Sequence, residues 1–438
     1  MKKVVHTALI PFLIVACGGD GGAVSAGSGG GSLDGPDTAI APSTEAVYTI
    51  GALEGEVWET FGNVSDVAFD ADGNLYVLDR DAGHIVKVSP TGEFLLTIGR
   101  QGEGPGELTG PLGLAVTPSS RVVVFDFARQ GFQVFGTDGE YIESVTLTPD
   151  EGFPGRVLEP MPDGRLATHG GIRLSFGGGL PGEDGAPTPN SRPIETFGLD
   201  GSRDVAYEAW LPAPPEEDEE TEFSSGSSRI QLRMAQTIAF EPEVHLGVLS
   251  DGRLAVVDSV GYRIKLVSGG TVNSTVERPI APTVVDESIR DTERERRLAD
   301  LEEGGGPGGR MMVISAGGSG SGGGNFSVDQ DQVREMMRGQ IEGMGFAEAI
   351  PVINRMKVDW DDRLWIERSG ALPGEDGPTD VVTADGRYIG TIAADGLRIP
   401  AAFGPDGLIA YVERDELEVQ RVRVARLDDS VQALESGR

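Results

Sequence analysis

Six polar side chains follow short apolar segments at recurring places along this 438-residue chain. Each ends a copy of one pattern, in which a turn precedes alternating apolar residues. The six are Asp79, Asp126, His169, Asp258, Glu367 and Glu413. Carboxylates and imidazoles can bind cations, accept hydrogen bonds and transfer protons. They are therefore candidate ligand-binding residues, provided that the fold brings them to one face.

Two identical hexapeptides, at 180–185 and 372–377, read Leu-Pro-Gly-Glu-Asp-Gly and supply further carboxylates. Pro-Gly and Asp-Gly both form turns, so a shared turn explains the identity without any bound ion. The alternative is a pair of acidic loops that hold Ca²⁺ through carboxylate oxygens. The carboxylates concerned are Glu183, Asp184, Glu375 and Asp376. We expect the turn, and hence no metal and no cofactor, with calcium as the alternative.

Cys17 is the only cysteine, and it ends an apolar run that follows Lys2 and Lys3. The two lysines, the apolar run and small Ala16 form the pattern of a secretory signal peptide over residues 1–16, too short to span a bilayer. Residues 14–17 resemble the bacterial lipoprotein signal, which implies that Cys17 becomes a lipidated N-terminus holding the protein on a membrane. Gly18 rather than aspartate favours the outer membrane. The alternative is an ordinary signal peptide with an unmodified cysteine.

The charge balance limits the partners. The chain has 36 basic and 70 acidic residues and a net charge of -34. Such a surface repels phosphate backbones, so we expect no nucleic acid partner and a membrane contact made by the lipid alone. Residues 17–44 are mostly small and polar, which predicts a disordered tether, and residues 429–438 predict a polar tail.

The pattern that ends in the six polar residues is a structural repeat. Its copies are Asp72–Asp79, Ser119–Asp126, Asp163–His169, Asp251–Asp258, Asp361–Glu367 and Asp406–Glu413. Asp-Gly between two β-rich runs is a strong hairpin signal. Another apolar strand lies upstream of each copy, and two lie downstream in complete units. Four strands repeated six times predict an all-β fold, a six-bladed β-propeller over residues 45–428.

The sixth copy lacks a fourth strand, because residues 417–427 supply the third and the polar tail follows. An open ring would expose unpaired strand edges, so we expect an N-terminal strand within residues 47–61 to close it. The repeat, with the connector Gly99–Glu107, resembles bacterial six-bladed propellers related to NHL repeats. That resemblance implies the fold and says little about function.

Four insertions are predicted to share one face of the propeller. Loops between the second and third strands of a blade lie on the same side as connections to the next blade. The two loops are 170–192 and 369–378, and the two connections are 212–242 and 281–349. The six polar strand ends lie on this insert-bearing face, where we expect a protein or small-molecule ligand. The alternative is that long loops are merely tolerated there.

The 281–349 insert between blades 4 and 5 is predicted to be partly helical. Residues 285–303 contain pairs of opposite charge four residues apart, and Ser327 with Gln330 matches a capping box. The apolar face that follows comprises Val333, Met336, Met337, Ile341 and Met344. We expect this face to pack on the propeller rim; the alternative is a lid or a docking helix, because methionines adapt to varied surfaces.

The chemistry-bearing motifs of common enzymes are sparse. No nucleophile elbow or dinucleotide fingerprint occurs in a matching context. Of the histidines after the signal, His84, His169 and His245, only the last begins an inner strand, so no convergent set is expected. We therefore expect an exported, membrane-anchored binding module. The alternative is a divalent-metal-dependent hydrolase or lyase with its site in the axial channel.

Overall fold

The structure is a computed structural model that describes most of the chain. The described ranges are 33–148, 153–170, 191–212, 220–225, 228–233, 238–302 and 330–428. Six antiparallel sheets in these ranges correspond to the six sequence repeats. The predicted all-β, six-bladed propeller is thus confirmed. The signal segment, Cys17 and the polar tail lie outside the described residues.

Each blade has four strands, a to d, counted outward from the axis. Blades 1 to 3 comprise Val64–Phe69, Leu75–Asp79, His84–Val88 and Phe94–Ile98; Pro111–Val116, Arg121–Asp126, Gly131–Gly136 and Tyr141–Thr146; Glu159–Pro160, Leu166–His169, Ser191–Phe197 and Arg203–Trp210. Blades 4 to 6 comprise His245–Val248, Leu254–Val257, Arg263–Ser268 and Thr271–Glu277; Ile353–Val358, Arg363–Arg368, Thr379–Thr383 and Tyr388–Ile392; Ala402–Phe403, Leu408–Arg414, Gln420–Leu427 and Thr44–Ile50.

The turn between strands a and b explains the recurring Asp-Gly. In blade 1 the Gly73 N–H donates to the Asp70 carbonyl at 3.0 Å. Gly73 has a φ of +79°, a left-handed conformation that glycine adopts without strain. Ser120 and Asp362 adopt the same conformation in the two blades whose repeats lack this glycine, with φ of 59° and 60°. The same turn therefore forms in repeats with and without the glycine.

Apolar side chains fill the six gaps between neighbouring blades. Between blades 1 and 2, for example, Tyr76 and Leu78 share a buried cluster with Leu114 and Val124. Side chains alternate between the two faces of a sheet, so each blade contributes to two clusters. The core therefore follows the ring, and the axis is left for a channel.

The ring is closed by the N-terminal strand, as predicted. Thr44–Ile50 pairs with Gln420–Leu427 and becomes the outermost strand of blade 6. Ile50 and Val64 lie in the same buried cluster as Val422 and Val424, which joins the start of the propeller to its end. Closure removes the free edge that blade 6 would otherwise expose.

The predicted tether is wrong over residues 33–40, which we call the N-terminal strap. Leu33 is buried in the cluster between blades 4 and 5. Ala39–Ile40 pairs in parallel with Tyr388–Ile392 as a fifth strand of blade 5. Between them, Asp37 forms ion pairs with Arg278 and Arg368. The prediction from composition was wrong here because a few residues that form contacts hold a segment whose other residues are mostly small and polar.

The insert between blades 4 and 5 contains two helices, as predicted. Helix α1 spans Glu287–Glu302 and helix α2 spans Gln330–Glu342. Three short strand pairs lie outside the blades: Glu220–Ser225 with Ser228–Arg233, Ile238–Ala239 with Gly345–Phe346, and Thr283–Val284 with Ala349–Ile350. The capping Ser327 falls outside the described residues. Neither helix has the length and apolar composition needed to cross a bilayer.

Candidate functional site

Two of the predicted ligand residues hold the backbone that joins consecutive blades. Asp79 and Asp126 are fully buried at the ends of their b strands. Asp79 accepts hydrogen bonds from the N–H groups of Gly62 and Asn63, at 2.8 and 3.0 Å. Asp126 accepts equivalent bonds from Thr109 and Gly110, at 2.7 and 3.0 Å. Their carboxylates satisfy buried donors of the preceding connection, which is a structural role.

Three more of these residues form ion pairs or hydrogen bonds with nearby groups of the protein. The Asp258 carboxylate lies 2.8 Å from the Lys265 ammonium and accepts the Trp210 N–H at 2.8 Å. Glu367 accepts a hydrogen bond from the Asn354 side-chain amide at 2.6 Å. Glu413 pairs with Arg423 at 2.8 Å. The six strand-end residues thus lie in separate blades, and the structure does not gather them into one site.

His169 differs from the other five because it lines a cavity on the propeller axis. This axial channel has a volume of about 890 Å³ and is walled by the inner strands of the blades. Charged side chains are among its lining residues. They are Asp66, Arg156, Glu159, His169, Arg355, Lys357, Asp359 and Asp362. Ionisable groups from blades 1, 3 and 5 therefore meet a common space in this channel.

One group of these side chains joins blades 1, 3 and 5. The Lys357 charge acts on both carboxyls, Asp66 and Glu159. Its ammonium also donates to the Ala401 carbonyl of blade 6. Burial raises the pKa of Asp66 to about 6, although the Leu114 N–H and Lys357 favour its charged form. Burial likewise raises the pKa of Glu159 against the pull of Lys357. We call these three residues the acid–lysine cluster.

A second group lies nearer the insert-bearing face, where the inner strands begin. Burial lowers the pKa of His245 to about 4, and the charges of His169, Arg355 and Arg192 act in the same direction. Burial and Arg192 also lower the pKa of His169. Both imidazoles are therefore neutral at pH 7 and able to donate or accept one hydrogen bond from each nitrogen.

The position of His169 corrects a prediction. From the sequence, His169 is expected to lie too far from the propeller axis to approach His245. The last residue of a b strand lies beside the first residue of the next blade's inner strand in this ring. His84 does remain outside the channel: it pairs with Asp79 across blade 1. Burial lowers the pKa of His84, and the Asp79 charge opposes that shift.

The hairpin-face end of the channel is tied by contacts between blades. The Ser250 N–H of blade 4 donates to the Asp362 carboxylate of blade 5 at 2.7 Å. The Trp360 indole N–H donates to the Phe403 carbonyl of blade 6 at 2.8 Å. Asp359 is buried and paired with Arg363 at 2.6 Å. These polar groups are satisfied within the protein, so they serve the ring more than a ligand.

The calcium hypothesis concerns two loops, and only one is described. Glu183 and Asp184 lie outside the described residues. In the blade 5 loop, the Glu375 carboxylate accepts the Leu372 N–H at 3.1 Å, and Gly374 has a φ of +84°. Asp376 is exposed. These are the features of a turn. No group of three or more His, Cys, Asp or Glu side chains suited to a metal occurs among the described residues.

The insert lies over this same loop. A Cβ at Gly374 would lie 2.6 Å from Cδ of Arg296, so α1 packs directly on the blade 5 loop. The two helices are joined by an ion pair between Arg338 and Glu302 at 3.2 Å. On α2, Met337 and Ile341 are half-buried, and Met344 beyond its end is buried. The choice between a packed rim and a docking helix therefore stays a prediction.

The charged residues of the channel were not predicted as site residues. Four of them lie on inner strands, which were predicted only from the alternation of apolar residues. They are Asp66, Glu159, Arg355 and Lys357. The available signal was their charge, because an ionised side chain on an inner strand is costly unless it meets a partner or solvent. A charge on a strand that faces an open axis is thus a pointer to the channel.

No protein-family model matches this chain, and no curated protein matches it. Its structure is similar to that of a candidate exported protein from Bacteroides fragilis, with a TM-score of 0.47 and 11% identity, over 90% of this chain and 98% of that one. A DUF4221 family member from Bacteroides vulgatus gives 0.45 and 11%, over 89% and 99%. Virginiamycin B lyase from Staphylococcus aureus gives 0.38 and 10%, over 87% and 99%. The six-bladed assignment rests on this chain's own strand pairing.

Proposed function

We propose that this protein is an exported β-propeller, lipid-anchored to the outer membrane through Cys17, that binds a small molecule in its axial channel. The observation that carries the proposal is the cavity of about 890 Å³ in which ionisable groups of three blades converge. Small-molecule sites are typically cavities of about 300 to 1,000 Å³ with a few convergent polar groups.

The acid–lysine cluster supports binding because stability alone does not require it. Burial works against the charged forms of Asp66 and Glu159, and this is why the pKa of each carboxyl is raised. Apolar side chains at these positions would avoid that cost. Groups held at such a cost are concentrated at functional sites.

The insert-bearing face is the expected entrance. At the hairpin-face end, the hydrogen bonds of Ser250 and Trp360 join neighbouring blades around the channel. At the opposite end lies His169, on the same face as the loop of blade 5. Helix α1 packs on the blade 5 loop at this face.

Binding is preferred to metal-dependent catalysis for a chemical reason. A hydrolase or lyase of that kind needs several metal-ligating side chains within a few ångströms of each other. The described residues contain no such group. They do contain a lysine whose charge acts on two carboxyls, and two imidazoles that are neutral at pH 7. Such groups suit recognition of a polar ligand.

A thermal-shift screen of a small-molecule library tests the proposal with three proteins. The wild type is compared with Lys357→Met, which removes the ammonium from the acid–lysine cluster. The matched control is Arg121→Gln, an exposed side chain that does not line the cavity. We expect compounds that raise the Tm of the wild type and the control but not of Lys357→Met.

Should Lys357→Met fold poorly, Glu159→Gln keeps the side-chain shape while removing one charge, and it replaces that variant. The proposal is wrong if no compound raises the Tm of the wild type. It is also wrong if the active compounds stabilise the channel variants as much as the control.

A further inference from the structure

Unpaired positive charge lines the channel of a strongly acidic protein. The chain has 36 basic and 70 acidic residues. Arg156 and Arg355 nevertheless line the cavity, and both are exposed there. No carboxylate within the described ranges forms an ion pair with either of them. Asp66, Glu159, Asp359 and Asp362 line the same cavity, yet none of these carboxylates forms an ion pair with either arginine.

Several other arginines of this protein are instead paired with a carboxylate. Arg278 lies 2.8 Å from Asp380, Arg363 lies 2.6 Å from Asp359, and Arg203 lies 2.6 Å from Glu195. In each case the guanidinium is paired inside the protein. Arg355 is instead left facing the channel on the inner strand of blade 5. A guanidinium is well suited to bind an oxyanion through two parallel hydrogen bonds.

The neighbouring histidines reinforce the preference for an anion. The Arg355 charge acts on His245, whose pKa burial lowers to about 4, so His245 is neutral at pH 7. His169 lines the same cavity, and burial lowers its pKa too. Neutral imidazoles add N–H donors near Arg355 and, unlike carboxylates, do not repel an anion.

Two members of the acid–lysine cluster, Glu159 and Lys357, lie one layer farther along the inner strands than Arg355 and Asp66, and they favour a different part of a ligand. The lysine offsets the charge of one of the two carboxyls, and each carboxyl can accept hydrogen bonds. Such a cluster suits hydroxyl groups, which both donate and accept. The channel therefore has two guanidinium groups, Arg156 and Arg355, toward the insert-bearing face and a polar region around Glu159 and Lys357 beyond them.

We propose that the ligand is a hydroxylated organic acid of the sugar-acid class, with its carboxylate on Arg355 and its hydroxyls on the acid–lysine cluster. This inference rests on the proposed function, because it names the ligand class of the same channel. Arg156 lies on the adjoining part of the wall and would add a second guanidinium to the carboxylate end.

Calorimetric titration with matched probes tests the inference. The acids are D-galacturonate, D-glucuronate and D-gluconate, and the neutral counterparts are D-galactose, D-glucose and D-sorbitol. Inorganic phosphate is the oxyanion without hydroxyl-bearing carbons. The proteins are the wild type, Arg355→Gln, Arg355→Lys and the Arg121→Gln control, each checked by circular dichroism for an unchanged fold.

We expect at least one acid to bind the wild type about tenfold or more tightly than its neutral counterpart, because hydrogen bonds between charged groups are the stronger ones. Arg355→Gln should lose that preference, Arg355→Lys should retain part of it, and the control should keep all of it. The inference is overturned if no acid binds more tightly than its neutral counterpart, or if Arg355→Gln keeps the preference.

Two outcomes separate this inference from the proposed function. Tight binding of a neutral sugar that Lys357→Met abolishes would overturn the acid and leave the channel as the binding site. Binding of phosphate as tight as that of every sugar acid would overturn the role given to the hydroxyls. Channel-independent stabilisation in the library screen would instead refute the proposed function itself.

Discussion

The N-terminal strap depends on a junction that one substitution can test. Asp37 lies 2.9 Å from Arg278 and 2.6 Å from Arg368. The Arg278 side chain is only 2% exposed, whereas that of Asp37 is 44% exposed. Arg278 also pairs with buried Asp380 at 2.8 Å and lies 4.6 Å over the Tyr388 ring. Asp37→Asn removes the strap's charge from this junction and leaves the buried Arg278–Asp380 pair intact.

The expected cost follows from the exposure of the two partners. A hydrogen bond to a charged group contributes about 1.5 to 3 kcal/mol, while an exposed ion pair contributes about 0 to 1 kcal/mol. Asp37 is half-exposed and its arginine partners are mostly buried, so we expect about 1 to 2 kcal/mol. That difference corresponds to a change of roughly 5- to 30-fold in the population of the opened strap.

Hydrogen exchange at one amide reports this opening directly. The Thr391 N–H donates to the Thr38 carbonyl of the strap at 2.8 Å. Its exchange should accelerate roughly 5- to 30-fold in Asp37→Asn at pH 7. Amides of blades 1 to 3 should keep their wild-type rates. Glu45→Gln, an exposed change on the neighbouring N-terminal strand, is the matched control and should leave Thr391 protected.

The effect should also depend on pH with a definite sign. Burial alone raises the pKa of Asp37, but hydrogen bonds and charges of Arg368 and Arg278 outweigh it and lower this pKa below its ordinary value of 3.8. The stabilisation is therefore complete above about pH 4 and disappears as the pH falls through the lowered pKa. Wild type and Asp37→Asn should converge in strong acid. Equal Thr391 exchange in both proteins at pH 7 would refute the account of the strap.

Four further predictions follow from other parts of the molecule. Deleting residues up to Asn63 removes the closing strand, so the protein should aggregate or lose cooperative unfolding; a monomer with the wild-type Tm would contradict closure. Cys17→Ala should move the protein from the membrane fraction to the soluble fraction or block its processing, and mass spectrometry that finds an unmodified N-terminus elsewhere would disprove lipidation. Changing Met336, Met337 and Ile341 to Ser should lower the free energy of unfolding by about 1 kcal/mol per half-buried side chain if α2 packs on the rim, and should abolish co-purification of a partner if it does not; no change in either contradicts both hypotheses. Because the net charge of -34 repels anions, stopped-flow association of a bound sugar acid should become faster as salt rises from about 10 to 100 mM, and a slower rate would indicate that the local arginines dominate the field.

The sequence predicted the blades because each blade repeats the same local physics. A turn, alternating apolar residues and a regular spacing are visible in every copy, with Asp-Gly at the turn in four of the six, and closure followed from the need to pair the last edge. The strap could not be predicted in this way, because its binding depends on Arg278, far along the chain, meeting Asp37. Long-range pairs of this kind leave no local pattern.

The strand-end residues show the opposite failure, in which a clear pattern suggested the wrong role. Asp79 and Asp126 recur because each blade must fix the backbone that enters it, and an aspartate at that position accepts the free N–H groups. Recurrence at the same position of several blades indicates a structural task that those blades share. A binding site needs different groups in different blades, so its residues are found where the repeats disagree.

The channel residues agree with that rule once the repeats are aligned on their a-to-b turns. Asp66 and Arg355 each stand six positions before the first turn residue of their repeat, and Glu159 and Lys357 stand four positions before theirs. His245, which is not among the lining residues, also stands six positions before its turn. The same positions in other blades hold small or apolar residues: Gly113, Val157 and Pro400 in the first layer, and Ala68, Ala115, Gly247 and Ala402 in the second. Positions two apart lie on the same side of a strand, so the charges form two layers along the axis. Small residues at the remaining positions leave the space that the charged side chains surround, and the disagreement among repeats thus accounts for both the cavity and its chemistry.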